Sequence, residues 1–120
     1  MKLLHGKIML DLTHMLSGPY GTMLLSDLGM RTIKVEPPGR GEITRELLHD
    51  DPDYSQGGMG VYFLTLNRGK ESVCLDLKSE AGREVFYDLV RHADIVFDNF
   101  AVGVTRRLQI DHDTLAAINP

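Results

Sequence analysis

Short apolar runs alternate with stretches of helical periodicity along this 120-residue chain, and that alternation leaves few folds open. Residues 8–12, "IMLDL", read as a short buried strand. In the "SGPYGTMLLSDLG" that follows, Ser17 or Gly18 can cap a helix and Pro19 suits its first turn. Tyr20, Met23, Leu24 and Leu28 fall on one helical face, and Gly29 is placed to end the helix in a left-handed conformation. "RTIKVE" then alternates, with Ile33 and Val35 on one side and Lys34 and Glu36 on the other, as a second strand does.

Pro37-Pro38-Gly39 stops that strand, and residues 39–60 read as a long loop, rich in glycine and holding Asp50-Asp51-Pro52-Asp53. Loops of this length are usually functional or mobile; "ITRELLH" predicts one helical turn inside it. After "VYFLTL" and a turn signal at Asn67-Arg68-Gly69-Lys70, "SVCLDL" predicts a third strand. Its Val73, Leu75 and Leu77 share one face, and Cys74 reads as a buried thiol. Ser79 can cap a helix with a stripe of Val85, Phe86, Leu89, Val90 and Ala93. "DIVFDNF" predicts a fourth strand, residues 103–108 a short helix, and Asp111 or Asp113 the cap of a last one that ends before Pro120. The expected fold is α/β: a mostly parallel sheet with flanking helices and right-handed crossovers, one domain by length.

Charge and composition exclude several functions. The net charge is −4 with no long single-sign block, which argues against a nucleic-acid-binding surface. Cys74 is the only cysteine, so no internal disulfide can form; with the lack of a signal-peptide pattern this predicts a cytoplasmic location. No run approaches the roughly 18 apolar residues of a membrane span. The five histidines lack zinc-motif spacing, so no metal is expected. Neither GxGxxG, a Walker-type loop nor a GxSxG elbow is present. No triad or carboxylate dyad stands out, so no catalytic residue is assigned within the chain.

In an open parallel sheet, ligands sit outside the carboxyl ends of the strands, which leaves three candidate positions. Residues 13–18 join a strand to a helix start, where backbone amides attract anions; a tight helix start is the plainer reading. Leu75-Asp76-Leu77-Lys78 follows the third strand, and Lys78 is either a point charge for a phosphate or a solvated lysine. The stretch after the fourth strand holds Asn99, which both donates and accepts, the flat ring of Phe100, and Arg106 and Arg107 downstream. There the alternatives are a ligand contact, or a turn capped by Asp98 or Asn99 with Phe100 in the core.

Taken together, "MLDLTHMLSGPYGTMLLSDLG", "IKVEPPGRGEITR", "YFLTLNRGKESVCLDLKSEAGREVF" and "ADIVFDNFAVGV" resemble the amino-terminal part of the family III CoA-transferases. That family includes formyl-CoA transferase and the 2-methylacyl-CoA racemases, and the resemblance runs from about Leu4 to Pro120. It implies a Rossmann-like large domain, incomplete in residues 1–120, within an interlocked homodimer. It implies coenzyme A, as an acyl-CoA substrate, along the carboxyl edge of the sheet, with a small carboxylic acid as the other reactant. Carried over by motif, the CoA contacts are Leu16, Ser17, Leu75, Asp76, Leu77, Lys78, Asn99, Phe100, Ala101 and Arg107. Lys78 and Arg107 would meet phosphates, Asn99 a polar group, and Phe100 would form an apolar wall.

The chain departs from the family pattern at several places. Val102 stands where proline is common, Asp98 replaces a glutamate, Gln109 holds a position often glycine, and Met30 one often alanine. Pro37 stands where some members place an arginine near the adenine. Family members are also about three times longer, so the chain is expected to be an amino-terminal fragment. The resemblance places the aspartate nucleophile of the transferases beyond residue 120. That aspartate would attack the acyl-CoA thioester to form a mixed anhydride, then an enzyme–CoA thioester, before CoA passes to an acceptor carboxylate. The fragment alone is therefore expected to be inactive. Two rivals remain: an acyl-CoA racemase of the same family, and a noncatalytic CoA- or nucleotide-binding domain.

Overall fold

The structure is a computed structural model and describes residues 2–120. Four parallel strands form its centre: β1 (Ile8–Asp11), β2 (Arg31–Glu36), β5 (Glu71–Cys74) and β6 (Ile95–Phe97), in the order β5-β2-β1-β6. The strands between β2 and β5 are the short β3 (Ser55–Gln56) and β4 (Met59–Gly60), an antiparallel pair outside the main sheet. Five helices complete the fold: α1 (Ser17–Asp27), α2 (Val61–Leu66), α3 (Glu80–Val90), α4 (Val104–Arg107) and α5 (His112–Ala116). The expected mostly parallel α/β architecture is present.

Register divides the sheet into two unlike faces. Leu10 pairs with Ile33 and Val35 with Val73, so these side chains share one face. There Leu10, Leu12 and Val35 pack with Phe86 and Val90 of α3, Ile110, and Leu115 of α5. One residue out of step, Asp11 pairs with Lys34 and Lys34 with Ser72, which puts Asp11, Thr32, Lys34, Glu36 and Ser72 on the opposite face. All but Ser72 are at most 1% exposed. The alternation of "RTIKVE" is thus real, but its polar side is as buried as its apolar side.

Helix α1 lies on the polar face and corrects the expected packing. Of the residues assigned to its buried side only Met23 is buried; Tyr20, Leu24 and Leu28 are 44–50% exposed. The buried set is instead Gly18, Pro19, Thr22, Met23 and Ser26. Small residues four apart bring the helix close to the sheet, and the Thr22 hydroxyl reaches Asp11 Oδ2 at 2.8 Å. Gly29 ends the helix at φ +104°, with its N–H on Ser26 O, as its position predicts.

The third strand stops at Cys74, two residues before the next turn, and Cys74 is exposed rather than buried. It sits at the end of an edge strand that has a neighbour, β2, on one side only. Ser79 caps α3 through Gly82 N–H at 3.0 Å, as expected. "VYFLTL", rich in strand-forming types, is helical, because Phe63 and Leu66 bury one helical face. Residues 39–60 are mostly exposed but anchored: Glu42 and Thr44 are buried at the 3₁₀ turn Ile43–Arg45, and Gly57 and Gly58, both at positive φ, turn the β3–β4 hairpin.

Candidate functional site

The carboxyl ends of β1, β2 and β5 open on a cleft of about 170 Å³, together with the segment after β6. Leu12, Val35, Leu75, Leu77, Phe100 and Leu108 form its apolar lining; His14, Glu36, Asp76 and Lys78 its polar one. Three larger grooves lie among the described residues, of about 410, 490 and 300 Å³, but they follow the free edge of β6, the amino end of the sheet, and the surface between residues 102–106 and the start of α5. An open parallel sheet presents its loops and helix starts at the carboxyl edge, so the smaller cleft is the candidate site.

Each loop that borders the cleft is held by side chains. After β5, Asp76 Oδ1 accepts the Lys78 N–H at 3.0 Å, and the Arg83 guanidinium donates to the carbonyls of Leu77 and Lys78. This leaves the exposed Lys78 ammonium without a partner among the described residues. After β6, Asp98 Oδ1 accepts the Phe100 N–H at 3.0 Å. Phe100 packs on the edge of the core and stands 5.5 Å from the His14 ring. The turn reading of this stretch holds: Asp98 makes a turn, and Phe100 packs at the core margin, where its ring also lines the cleft.

The β1–α1 loop is held most closely. Thr13 N–H donates to Asp11 Oδ1, and Thr13 O accepts from the Lys34 ammonium at 2.7 Å. The Asn99 side chain bridges His14, accepting its N–H and donating to its carbonyl, both at 2.9 Å. Met15, at φ +68°, donates its N–H to Glu42 Oε1 at 3.0 Å. Gly18 allows this closeness, since a Cβ there would lie 2.6 Å from Thr13 Cβ. Leu16 provides no side-chain cap to α1, which leaves first-turn amides open to a ligand or solvent.

Beneath the loop lie two neighbouring interior clusters that together hold three cations and three anions: Lys70 and Lys34 around Asp11, and Arg45 on Glu36 beside Glu42. The Lys70 ammonium donates to Asp11, Thr22 Oγ1, Asn67 Oδ1 and Pro19 O, all at 2.9–3.0 Å. Lys34 lies 3.8 Å from the same Asp11 oxygen. Arg45 donates twice to Glu36, which also accepts from Ser72 and the Glu42 N–H. Glu42 takes Thr44 N–H and its hydroxyl on one oxygen and Met15 on the other, with His14 Nδ1 at 3.8 Å.

The charges tune one another. Burial alone would raise the Glu36 and Glu42 carboxyls, but hydrogen bonds outweigh it: both are lowered to about 2, Glu36 chiefly by Arg45 and Ser72, Glu42 by His14, Met15 and Thr44. Burial likewise opposes ionisation of Asp11, yet Lys34 and Lys70 hold it below the usual carboxylate range. For both lysines burial prevails over the carboxylates and lowers the pKa.

The sequence-based candidates divide. Leu75, Asp76, Leu77, Lys78 and Phe100 line one cleft. Leu16 and Ser17 are exposed at the start of α1, and Asn99 spends an oxygen and an N–H on the His14 backbone. Ala101 and Arg107 are exposed and do not line the cleft. Glu42, Lys34 and His14 were missed as site residues. The one available signal was the odd placement of charged Lys34 and Glu36 in a strand between apolar neighbours. Among the family departures, Gln109 stands at φ +59°, which explains why glycine suits that position. Val102 is fully exposed.

The family model of CoA-transferase family III matches residues 4–120. Acetyl-CoA:oxalate CoA-transferase of Acetobacter aceti is 48% identical over 117 residues, covering 96% of this chain and 28% of that protein. Formyl-CoA:oxalate CoA-transferase of a Bradyrhizobium species is 42% identical over 119 residues, 99% of this chain and 27% of that protein. Among solved structures, a CAIB/BAIF family protein from Brucella suis superposes with a TM-score of 0.89 at 38% identity, over 99% of this chain and 31% of that one. Rv3272 from Mycobacterium tuberculosis, in its orthorhombic form, gives 0.86 at 37% identity, over 100% of this chain and 30% of that one. The chain thus spans less than a third of the length of these relatives.

Proposed function

The chain belongs to CoA-transferase family III, and from that premise we propose that the carboxyl edge of its sheet binds the CoA moiety of an acyl-CoA thioester. The polypeptide that carries it moves CoA to a small acceptor carboxylate. Residues 1–120 are, in this reading, the amino-terminal part of the CoA-binding large domain, in an interlocked homodimer in the cytoplasm that needs no metal. The single observation behind the proposal is the cleft itself: an apolar slot walled by Phe100, with the unpartnered Lys78 ammonium at its rim.

The roles follow from chemistry. Phe100, Leu75 and Leu77 offer apolar surface to a flat ring or a pantetheine stem. Lys78, and Arg107 on α4, supply positive charge to phosphates. Leu16 and Ser17 present the start of α1, and Asp76, Asn99 and Ala101 complete the wall. The nucleophile, an aspartate carboxylate, lies outside these 120 residues. It attacks the thioester carbonyl and expels the CoA thiolate; the thiolate then attacks the enzyme carbonyl of the anhydride and releases the donor acid. The enzyme thioester so formed gives up CoA to the acceptor through a second anhydride. The transferase names of the relatives favour this over the racemase reading.

Calorimetric titration of free CoA into the polypeptide as its gene encodes it tests the proposal. Lys78→Ala and Arg107→Ala should each weaken binding about tenfold, as loss of a charge-assisted phosphate contact of roughly 1.5 kcal/mol implies. Binding unaffected by either change, in folded protein, sinks the assignment.

A further inference from the structure

Residues 13, 14 and 15 make a stretch whose backbone groups are held by side chains from distant segments. Lys34 of β2 takes the Thr13 carbonyl, Asn99 after β6 takes both groups of His14, and Glu42 of the 39–60 segment takes the Met15 N–H. Of these, Glu42 has the unusual setting. Its carboxylate is fully buried, yet it belongs to no strand or helix of the sheet. It is itself fixed from below, because its own N–H donates to Glu36, and Glu36 is clamped by Arg45.

We propose that Glu42 is a positioning residue for the cleft: its carboxylate, through the Met15 N–H and the His14 ring, holds the β1–α1 loop in the shape that presents Leu16 and Ser17 to the ligand. The inference rests on the CoA reading for what the loop binds, and on geometry alone for the latch. Met15 has a side chain but stands at φ +68°, a left-handed region that disfavours every residue except glycine. A backbone in that state persists only when its surroundings over-determine it. Among the described residues the Glu42 bond is the one hydrogen bond of the Met15 amide, and no backbone carbonyl there replaces it. His14 adds a second grip, since its ring sits between Glu42 at 3.8 Å and Phe100 at 5.5 Å between centroids. The 39–60 segment, which adds no residue to the cleft lining, thereby sets the geometry of the loop that carries His14 into it.

The test uses the polypeptide as its gene encodes it, free CoA as the probe, and three variants. Glu42→Ala removes the acceptor. Glu42→Gln keeps an oxygen for the Met15 N–H while its amide N–H₂ gives up the acceptor of the Thr44 N–H, so it separates the Met15 contact from the Thr44 one. Val90→Ala lowers stability from the opposite face of the sheet and touches nothing near the loop. CoA affinity should fall at least tenfold in Glu42→Ala and stay within threefold of the parent in the other two. Hydrogen exchange of the Met15 amide should accelerate in Glu42→Ala alone. Should Glu42→Ala not fold, Glu42→Asp, one methylene short, takes its place with the same expectation. Affinity within twofold of the parent in Glu42→Ala, or an equal loss in Val90→Ala, overturns the proposal. If the parent itself binds no CoA, the cofactor reading fails, and the latch is judged on the Met15 amide. Faster exchange confined to the Glu42 variant sustains it, and unchanged exchange overturns it.

Discussion

On one face of the sheet, Leu10, Leu12 and Val35 meet Phe86, Val90 and Leu115. On the other, in the same strands and one residue out of step, Asp11, Lys34 and Glu36 meet Lys70, Arg45 and Glu42. Both faces are dry. The first is held by shape and area, which tolerate exchange of one apolar side chain for another of like size. The second is held by reciprocal charge, which tolerates no unpaired member. The difference also appears in what each face is connected to. The apolar face supplies Leu12, Val35 and Phe100 to the cleft lining; the charged face holds the loop beside it, Lys34 through the Thr13 carbonyl and Glu42 through the Met15 amide. A buried ionic face is a poor route to stability for its own sake, and here it sets the geometry of a loop.

Asp11→Ala should break the comparison most severely. It strands two buried ammonium groups against each other, and the expected loss is about 4 to 5 kcal/mol by urea unfolding of the full polypeptide. A loss under about 1 kcal/mol would mean the charged face is no more demanding than a surface. Phe86→Ala, fully buried on the opposite face, should cost about 3 to 4 kcal/mol through lost contact and a residual cavity.

Acid should separate the faces without mutation. Glu36 and Glu42 have folded-state values of about 2, below their ordinary 4.5. Their contribution is therefore complete above pH 4.5 and is lost as pH falls toward 2. Going from pH 7 to pH 3 should remove about 2 kcal/mol per carboxylate, seen as a falling unfolding midpoint. Replacing Glu36 with Gln should flatten that profile by one carboxylate's share; an unchanged slope would count against the network. The smallest effect is expected at the rim of the sheet, where Glu71 pairs with Arg31 in the open. Glu71→Gln should give no resolvable shift in midpoint, and one comparable to Asp11→Ala would erase the distinction between buried and exposed pairs.

Much of the frame was legible because its signals are local. A glycine at the end of α1, a serine before α3 and the period of Phe86 and Val90 each act within a few residues of chain. The candidate cleft was partly legible for the same reason, since strand ends are the places to look, and Leu75 to Lys78 and Phe100 do share one cleft. The burial of α1 was misread because Tyr20 and Leu24 outweigh Thr22 and Ser26 in any count of apolar residues. Only a sheet bearing Asp11 makes the small polar side the inner one. Cys74 was misread because apolar neighbours in sequence do not reveal an edge strand.

The sequence by itself determined the alternation of strands and helices, their caps, and the kinship with CoA-transferase family III, since all are written in residue types at fixed spacing. Only the tertiary structure decided that Lys34 and Glu36 are interior, that Asn99 braces His14, and that Glu42 reaches Met15 across 27 positions of chain. The physical reason is that a charged side chain is tolerated indoors only beside its counter-charge and hydrogen-bond partners. Those partners, Lys70, Arg45 and Asp11, come from segments that only the folded sheet brings together.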